Sequence, residues 1–144
     1  MMRFLGLDVG ERRTGVALSD PTGWLASPLT VLRCTDRDAE LLAVTDLVQK
    51  HQVGTIVVGD PQSLDGSIGP QSRRVRQYVS RLQQKVPHVS IVLYDERLST
   101  LHAQRLLHES GRRASREVID AAAAAVILQS YLDARQAHPA EALI

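Results

Sequence analysis

Apolar residues fall into short, dense runs at the start of the chain and into helical spacing further on, and this change of period marks off the elements. Residues 4–9, FLGLDV, are apolar at nearly every position, which predicts a central strand covered on both faces, with one carboxylate, Asp8, near its end. Residues 10–15, GERRTG, read as a short connection with glycine at both ends. Residues 16–19 then predict a second strand, Asp20-Pro21-Thr22-Gly23 a turn, and residues 25–32 a third strand. Three strands joined by short turns make an antiparallel meander.

After the meander the period lengthens. Thr35 or Asp36 is placed to cap a helix running to about His51, with apolar positions at Leu41, Leu42, Val44, Leu47 and Val48, and Gly54 follows where a helix stop is expected. Residues 55–59, TIVVG, predict a buried strand, and the turn formers of residues 60–69 lead to Pro70, suited to the first turn of a second helix through about Lys85. Residues 90–96 predict a fifth strand. Ser99 or Thr100 caps a third helix to about Ser110, Gly111 stops it, and a basic loop precedes a last helix from about Arg116 to Ala137. That order predicts an α/β fold: a five-stranded mixed sheet, the meander plus two parallel strands, flanked by about four helices. Right-handed crossovers would leave Asp8 near the middle of the sheet.

At 144 residues and 44% hydrophobic, the chain holds one core, so residues 1–138 are expected to form a single domain and residues 139–144 a loose tail. No run reaches the roughly 20 apolar residues that span a bilayer, and the first residues lack a signal-peptide pattern. Cys34 is alone, which excludes an internal disulfide and a cysteine-based zinc site, and the cytoplasm is the expected location. Net charge is only +1, but between positions 66 and 120 ten Lys/Arg face five Asp/Glu, while the remainder holds seven against eleven. Nearly all of that positive charge is Arg, the side chain that grips phosphate bidentately. Genome base composition could explain the abundance of Arg; it does not explain the concentration in one segment.

Asp8 breaks the apolar rule of its strand, and an unpaired buried carboxylate costs several kcal/mol. An Arg partner, protonation or a metal ion would relieve it; a strand-end Asp bonding the backbone of the next turn is the structural alternative. Glu96 ends the fifth strand, facing opposite to Asp95, so at most one of them shares a face with Asp8. Asp120 precedes Ala123, Ala124 and Ile127 at helical spacing and should point at the sheet, although an Asp in a first helical turn is also favoured by the helix dipole. Three hard oxygen ligands without His or Cys suit Mg²⁺ or Mn²⁺. Two such ions could clamp the attacking water and the leaving oxygen of a phosphodiester, with the Arg excess holding the polyanion.

Four blocks carry a resemblance: LDVGERRTGVALSD, VVGDP with its DGS-x-GPQS loop, YDERLST and VIDAAAAAVILQSYLD. In this order and spacing, from Phe4 to about Asp133, the chain resembles the YqgF family, also called RuvX. The resemblance implies a ribonuclease H-like fold and a metal-dependent nuclease whose acidic residues, catalytic and metal-holding, are Asp8, Glu96 and Asp120. It implies Mg²⁺ or Mn²⁺ as cofactor, and a nucleic-acid partner, either the precursor of 16S ribosomal RNA at its 5′ end or a four-way DNA junction. Arg13 matches the Arg of the first block, Gly10 and Gly15 its turn, and Ser99 and Thr100 the third block. The side chains nominated to hold nucleic acid are Arg13, Arg73, Arg74, Arg97, Arg112, Arg113 and Arg116. The chain departs from the family at Asp60 and Ser63-Leu64, and its 111–116 loop is shorter and less Lys-rich, which bears on the rim of the site and on substrate preference.

Two other classes compete. A strand-Asp-x-Gly turn also meets nucleotide phosphate in the actin, hexokinase and chaperone ATPase superfold, but those proteins enclose ATP between two domains and this chain has length for one. A binding module without chemistry is the other, and three intact carboxylates count against it. Aromatic residues make up 3% of the chain, too few for base stacking, so backbone and shape reading by Arg is expected. His102 and His108 are expected on a helix surface. The junction before Pro70 is a phosphate seat or an ordinary turn, and Trp24 a rim or a dimer contact. Junction cutting needs two symmetric cuts, so a homodimer would favour that substrate.

Overall fold

The computed structural model describes residues 2–33, 36–62, 65–101 and 116–137. β1 (Arg3–Val9), β2 (Arg13–Ser19) and β3 (Ala26–Arg33) form the meander, followed by α1 (Arg37–His51), β4 (Val53–Asp60), α2 (Pro70–Lys85), β5 (Ser90–Asp95), a 3₁₀ turn (Glu96–Leu98) and α3 (Arg116–Ala137). The strands lie in the order β3-β2-β1-β4-β5. β2 is antiparallel to β1 and β3, and β4 is parallel to β1 and β5, so Asp8 sits on the central strand as expected.

Side-chain alternation gives the sheet two unlike faces. On one, Leu5, Leu7, Val16, Ile56 and Val58 meet Leu41, Val44 and Val48 of α1 and Val75, Tyr78 and Leu82 of α2 in a bulky core. Burying each such aliphatic side chain contributes about 1.5–3 kcal/mol. On the other, α3 packs through Ala123, Ala124, Ile127 and Leu128 onto Ala17 and Val57. Small residues on both sides let helix and sheet approach closely: a Cβ on Gly6 would lie 2.8 Å from Leu128 Cβ and 3.0 Å from the Ala124 carbonyl oxygen. The alanine run thus supplies closeness as well as helix propensity.

Several boundaries differ from expectation. β2 begins at Arg13, and Gly15 pairs with Asp8 inside the sheet instead of forming the turn. The turn is closed by the Gly10 N–H donating to the Arg13 carbonyl at 3.0 Å. α1 is capped by the Asp36 carboxylate, which accepts from Asp38 N–H, but Gly54 does not stop it. Gln52 ends the helix in the left-handed region, φ 54°, a conformation that costs a non-glycine residue roughly 1–2 kcal/mol. Gly54 belongs to β4, and the space a Cβ would take is filled by Met2 Sδ at 2.6 Å. β5 stops at Asp95, whose side chain accepts from Arg97 N–H at 2.9 Å and turns Glu96 into the 3₁₀ segment.

At the β2–β3 turn, Asp20 accepts from the N–H groups of Trp24 and Leu25, each at 2.9 Å, and Gly23 takes the φ of +75° that closes it. These donors hold the Asp20 carboxyl at about 2, chiefly through Leu25. Ser99 Oγ accepts from Leu101 N–H at 3.2 Å, in keeping with a cap, but the expected third helix lies outside the described residues from His102 on, as do the basic loop before Arg116 and the tail. Three α-helices are present among the described residues, against about four expected. No described helix is long and apolar enough to cross a membrane.

Candidate active site

Asp8 reaches the end of β1 only 9% exposed, on the face that α3 covers. Two glycines bring the other carboxylates to it. Gly15 lies opposite Asp8, and a Cβ there would stand 1.9 Å from the Asp120 carbonyl oxygen, so the Asp120 turn of α3 rests directly on β2 beside Asp8. At the end of β4, a Cβ on Gly59 would stand 2.9 Å from Glu96 Oε1 and 2.6 Å from Ile127 Cδ1, so Glu96 folds back over that strand. Asp8, Glu96 and Asp120 consequently line one cleft of about 190 Å³, together with Glu11, Arg13, Arg37 and Arg74. It opens beyond the carboxyl ends of parallel strands, where ligands of open α/β sheets bind.

The cleft is laced with ion pairs. Arg13 Nε donates to Asp120 Oδ2 at 2.8 Å, both side chains about one-quarter exposed. Arg74, on the first turns of α2, pairs with Glu11 of the β1–β2 turn. The hydrogen bond and charge of Arg74 hold the Glu11 carboxyl below its usual range. The donor set consists of hard carboxylate oxygens and suits Mg²⁺ or Mn²⁺. As arranged, no three His, Cys, Asp or Glu among the described residues stand within reach of a single ion. A cation shared by the three carboxylates would have to draw them together, with Asp120 leaving Arg13.

Of the arginines nominated for nucleic acid, Arg13 and Arg74 line the cleft. Arg73 is exposed on α2, and Arg97 is held by Asp95 through Nε at 2.9 and 3.0 Å and by Gln62 at 3.2 Å. That bond from Arg97 lowers the Asp95 carboxyl. Arg116 opens α3, and Arg112, Arg113, His102 and His108 lie outside the described residues. Trp24, 58% exposed, is not among the residues lining the cleft; it sits at the β2–β3 turn, at the other end of β2. Gly69 precedes Pro70 with no side-chain cap.

The departure at Asp60 has a structural use. Its buried carboxylate accepts from Ser72 Oγ at 2.5 Å, Arg76 Nη2 at 2.8 Å and Gln62 Nε2 at 3.1 Å, pinning the start of α2 to the end of β4. Sequence reasoning missed Arg37, which lines the cleft, and Glu40, the buried partner it pairs with. An Arg and a Glu three apart in a first helical turn look like an ordinary surface pair, and nothing in the pattern signals that Glu40 is buried.

Residues 2–134 match the family model described as "RuvX: Holliday junction resolvase". A Moorella thermoacetica protein named "Putative pre-16S rRNA nuclease" is 47% identical over 134 residues, covering 92% of this chain and 95% of its own. A protein of the same name from Halalkalibacterium halodurans is 44% identical over 139 residues, covering 94% and 99%. Among solved structures, T. thermophilus RuvC in complex with a Holliday junction substrate superposes with a TM-score of 0.61 at 15% identity, covering 94% of this chain and 96% of that one. The yeast mitochondrial Holliday junction resolvase gives 0.58 at 14%, covering 91% and 78%. The shared fold is ribonuclease H-like.

Proposed function

The chain belongs to the RuvX family, and from that membership we propose that it is a divalent-metal-dependent nuclease that processes the 5′ end of pre-16S ribosomal RNA. The observation that carries the reading is the convergence of Asp8, Glu96 and Asp120, from three separate elements, on one cleft. The names of the relatives support RNA as substrate. In this reading Asp8, Glu96 and Asp120 would hold the divalent ions. The ions supply positive charge opposite the charge that develops on the phosphate and the leaving oxygen.

The chain's own residues account for the rest. The central strand fixes the backbone of Asp8 at the edge of the cleft. Glu96 and Asp120 are positioned by the backbone approaches that Gly59 and Gly15 permit. Arg13, once it gives up Asp120, faces the cleft as a bidentate donor for phosphate. The Arg74–Glu11 pair stands on the cleft lining and must part where a backbone passes between the β1–β2 turn and α2. Recognition runs through backbone phosphate, so binding weakens steeply with salt and shows little base preference.

The description of the family favours a second reading, cutting of four-way DNA junctions, which would call for a two-fold dimer. Offering the purified protein a 5′-extended 16S precursor and a four-way junction, with Mg²⁺ and Mn²⁺ in turn, separates the two. The proposal expects divalent-dependent cleavage of the RNA in preference to the junction. Cleavage of the junction alone, in paired symmetric cuts, would replace it with the second reading.

A further inference from the structure

Glu40 is a buried carboxylate that the site does not use: its side chain has no exposed surface and Oε1 has no hydrogen-bond partner among the described residues. A buried carboxylate is costly, and an apolar residue would fill the space under α1 as well. Its other oxygen accepts from Arg37 Nη1 at 2.8 Å. Arg37 Nη2 donates to the Gly10 carbonyl at 3.0 Å, and the guanidinium lies 5.1 Å from the centre of the Tyr78 ring. Three contacts thus hold one guanidinium plane against the turn that follows Asp8. Arg37 lines the same cleft as Asp8, Glu96 and Asp120, and its side chain is 26% exposed.

Of the five N–H donors of a guanidinium, two are used by Glu40 and Gly10, which leaves three without an acceptor among the described residues. We propose that Arg37, held in orientation by the buried Glu40, is a substrate-binding residue that donates hydrogen bonds to a nonbridging oxygen of a nucleic-acid phosphate in the cleft, with Glu40 as its positioning residue. The inference rests on the nuclease reading for its substrate and on the Arg37 geometry for its residues. Arg37 supplies the charge and the donors of the phosphate contact, while Glu40 fixes their direction, so the loss of Glu40 falls on placement of the phosphate more than on attraction.

The test compares wild type with Arg37→Met, Arg37→Lys and Glu40→Gln, and with Arg81→Met as a control whose cation pairs with Asp38 and does not line the cleft. Affinity for a 16S precursor fragment is measured in EDTA against salt, and cleavage is measured at saturating RNA in Mg²⁺. Arg37→Met is expected to lower the salt slope by about 1 and affinity about tenfold, with Arg81→Met like wild type. Arg37→Lys should restore the slope but not the cleavage rate. Glu40→Gln should bind at least as well as wild type yet cleave roughly tenfold more slowly at saturation, the split expected of misplaced donors. An unchanged slope in Arg37→Met with a lowered melting temperature would make Arg37 a structural staple for α1 and overturn the proposal. Full rescue of cleavage by lysine would overturn the positioning role of Glu40. If wild type cleaves no nucleic acid, the nuclease reading falls, while the salt slopes still judge the phosphate contact at Arg37.

Discussion

Gly15→Ala is the most incisive small perturbation of this molecule. The added methyl would stand 1.9 Å from the Asp120 carbonyl oxygen and 2.4 Å from its carbon, where ordinary contact needs roughly 3.4 Å or more. The obstacle is backbone on both sides, so no side chain can turn away; the Asp120 turn of α3 must lift by about 1.5 Å or β2 must bow. Overpacking of this kind costs about 1–3 kcal/mol. For a domain of this length that corresponds to a melting-point loss of roughly 3–10 °C. The lift carries Asp120 away from Asp8, and a displacement of about 1 Å can cost on the order of a hundredfold in rate. Thermal unfolding by circular dichroism and cleavage assayed well below the melting point separate the two effects. The expected variant is folded, modestly less stable and nearly inactive. A Gly15→Ala protein with wild-type melting temperature and wild-type cleavage would refute the reading that Gly15 seats Asp120.

Replacing Arg13 by Ala frees Asp120 of its ion pair; since both side chains are partly exposed, the stability change should stay below about 1 kcal/mol, while Mn²⁺ affinity by calorimetry should rise and RNA affinity fall. Asp60→Ala strands Ser72 and leaves Arg76 without its carboxylate, and urea unfolding should register a loss of about 1–3 kcal/mol with cleavage reduced far less than by Gly15→Ala. The Leu25 N–H and the other donors of the turn hold the Asp20 carboxyl at about 2, below the ordinary 3.8, so its stabilisation is fully present above pH 4 and disappears as pH falls toward 2. The melting-temperature gap between wild type and Asp20→Ala should therefore be constant from pH 7 to 5 and narrow below pH 4; a gap that widens in acid would reverse the sign.

The sheet was legible because its strands are short, dense and apolar and its crossovers obey a fixed hand, and Asp8 stood out because a charge interrupts such a run. The two-faced packing was not. Gly15 looks like a turn residue beside Gly10, and only the register with Asp8 and the descent of α3 reveal a seat for Asp120. Gly54 misled in the opposite sense: a glycine just past a helical run suggests a C-cap, but Gln52 takes the left-handed position and Gly54 makes room for Met2. Arg37 and Glu40 were invisible for a different reason. Their importance comes from Tyr78 and the Gly10 carbonyl, both distant in sequence, and pattern reading sees only neighbours along one helix.

Asp8 is the point on which the whole account turns, since the other two carboxylates matter through their convergence on it. The direct measurement is single-turnover cleavage of a 5′-extended 16S precursor RNA by wild type and by Asp8→Asn, with RNA affinity recorded for both in EDTA. Divalent-dependent cleavage by wild type is expected, with a loss of about a hundredfold or more in Asp8→Asn and RNA affinity unchanged within about threefold. Cleavage by Asp8→Asn at a rate close to wild type, in a preparation free of contaminating nuclease, would contradict it.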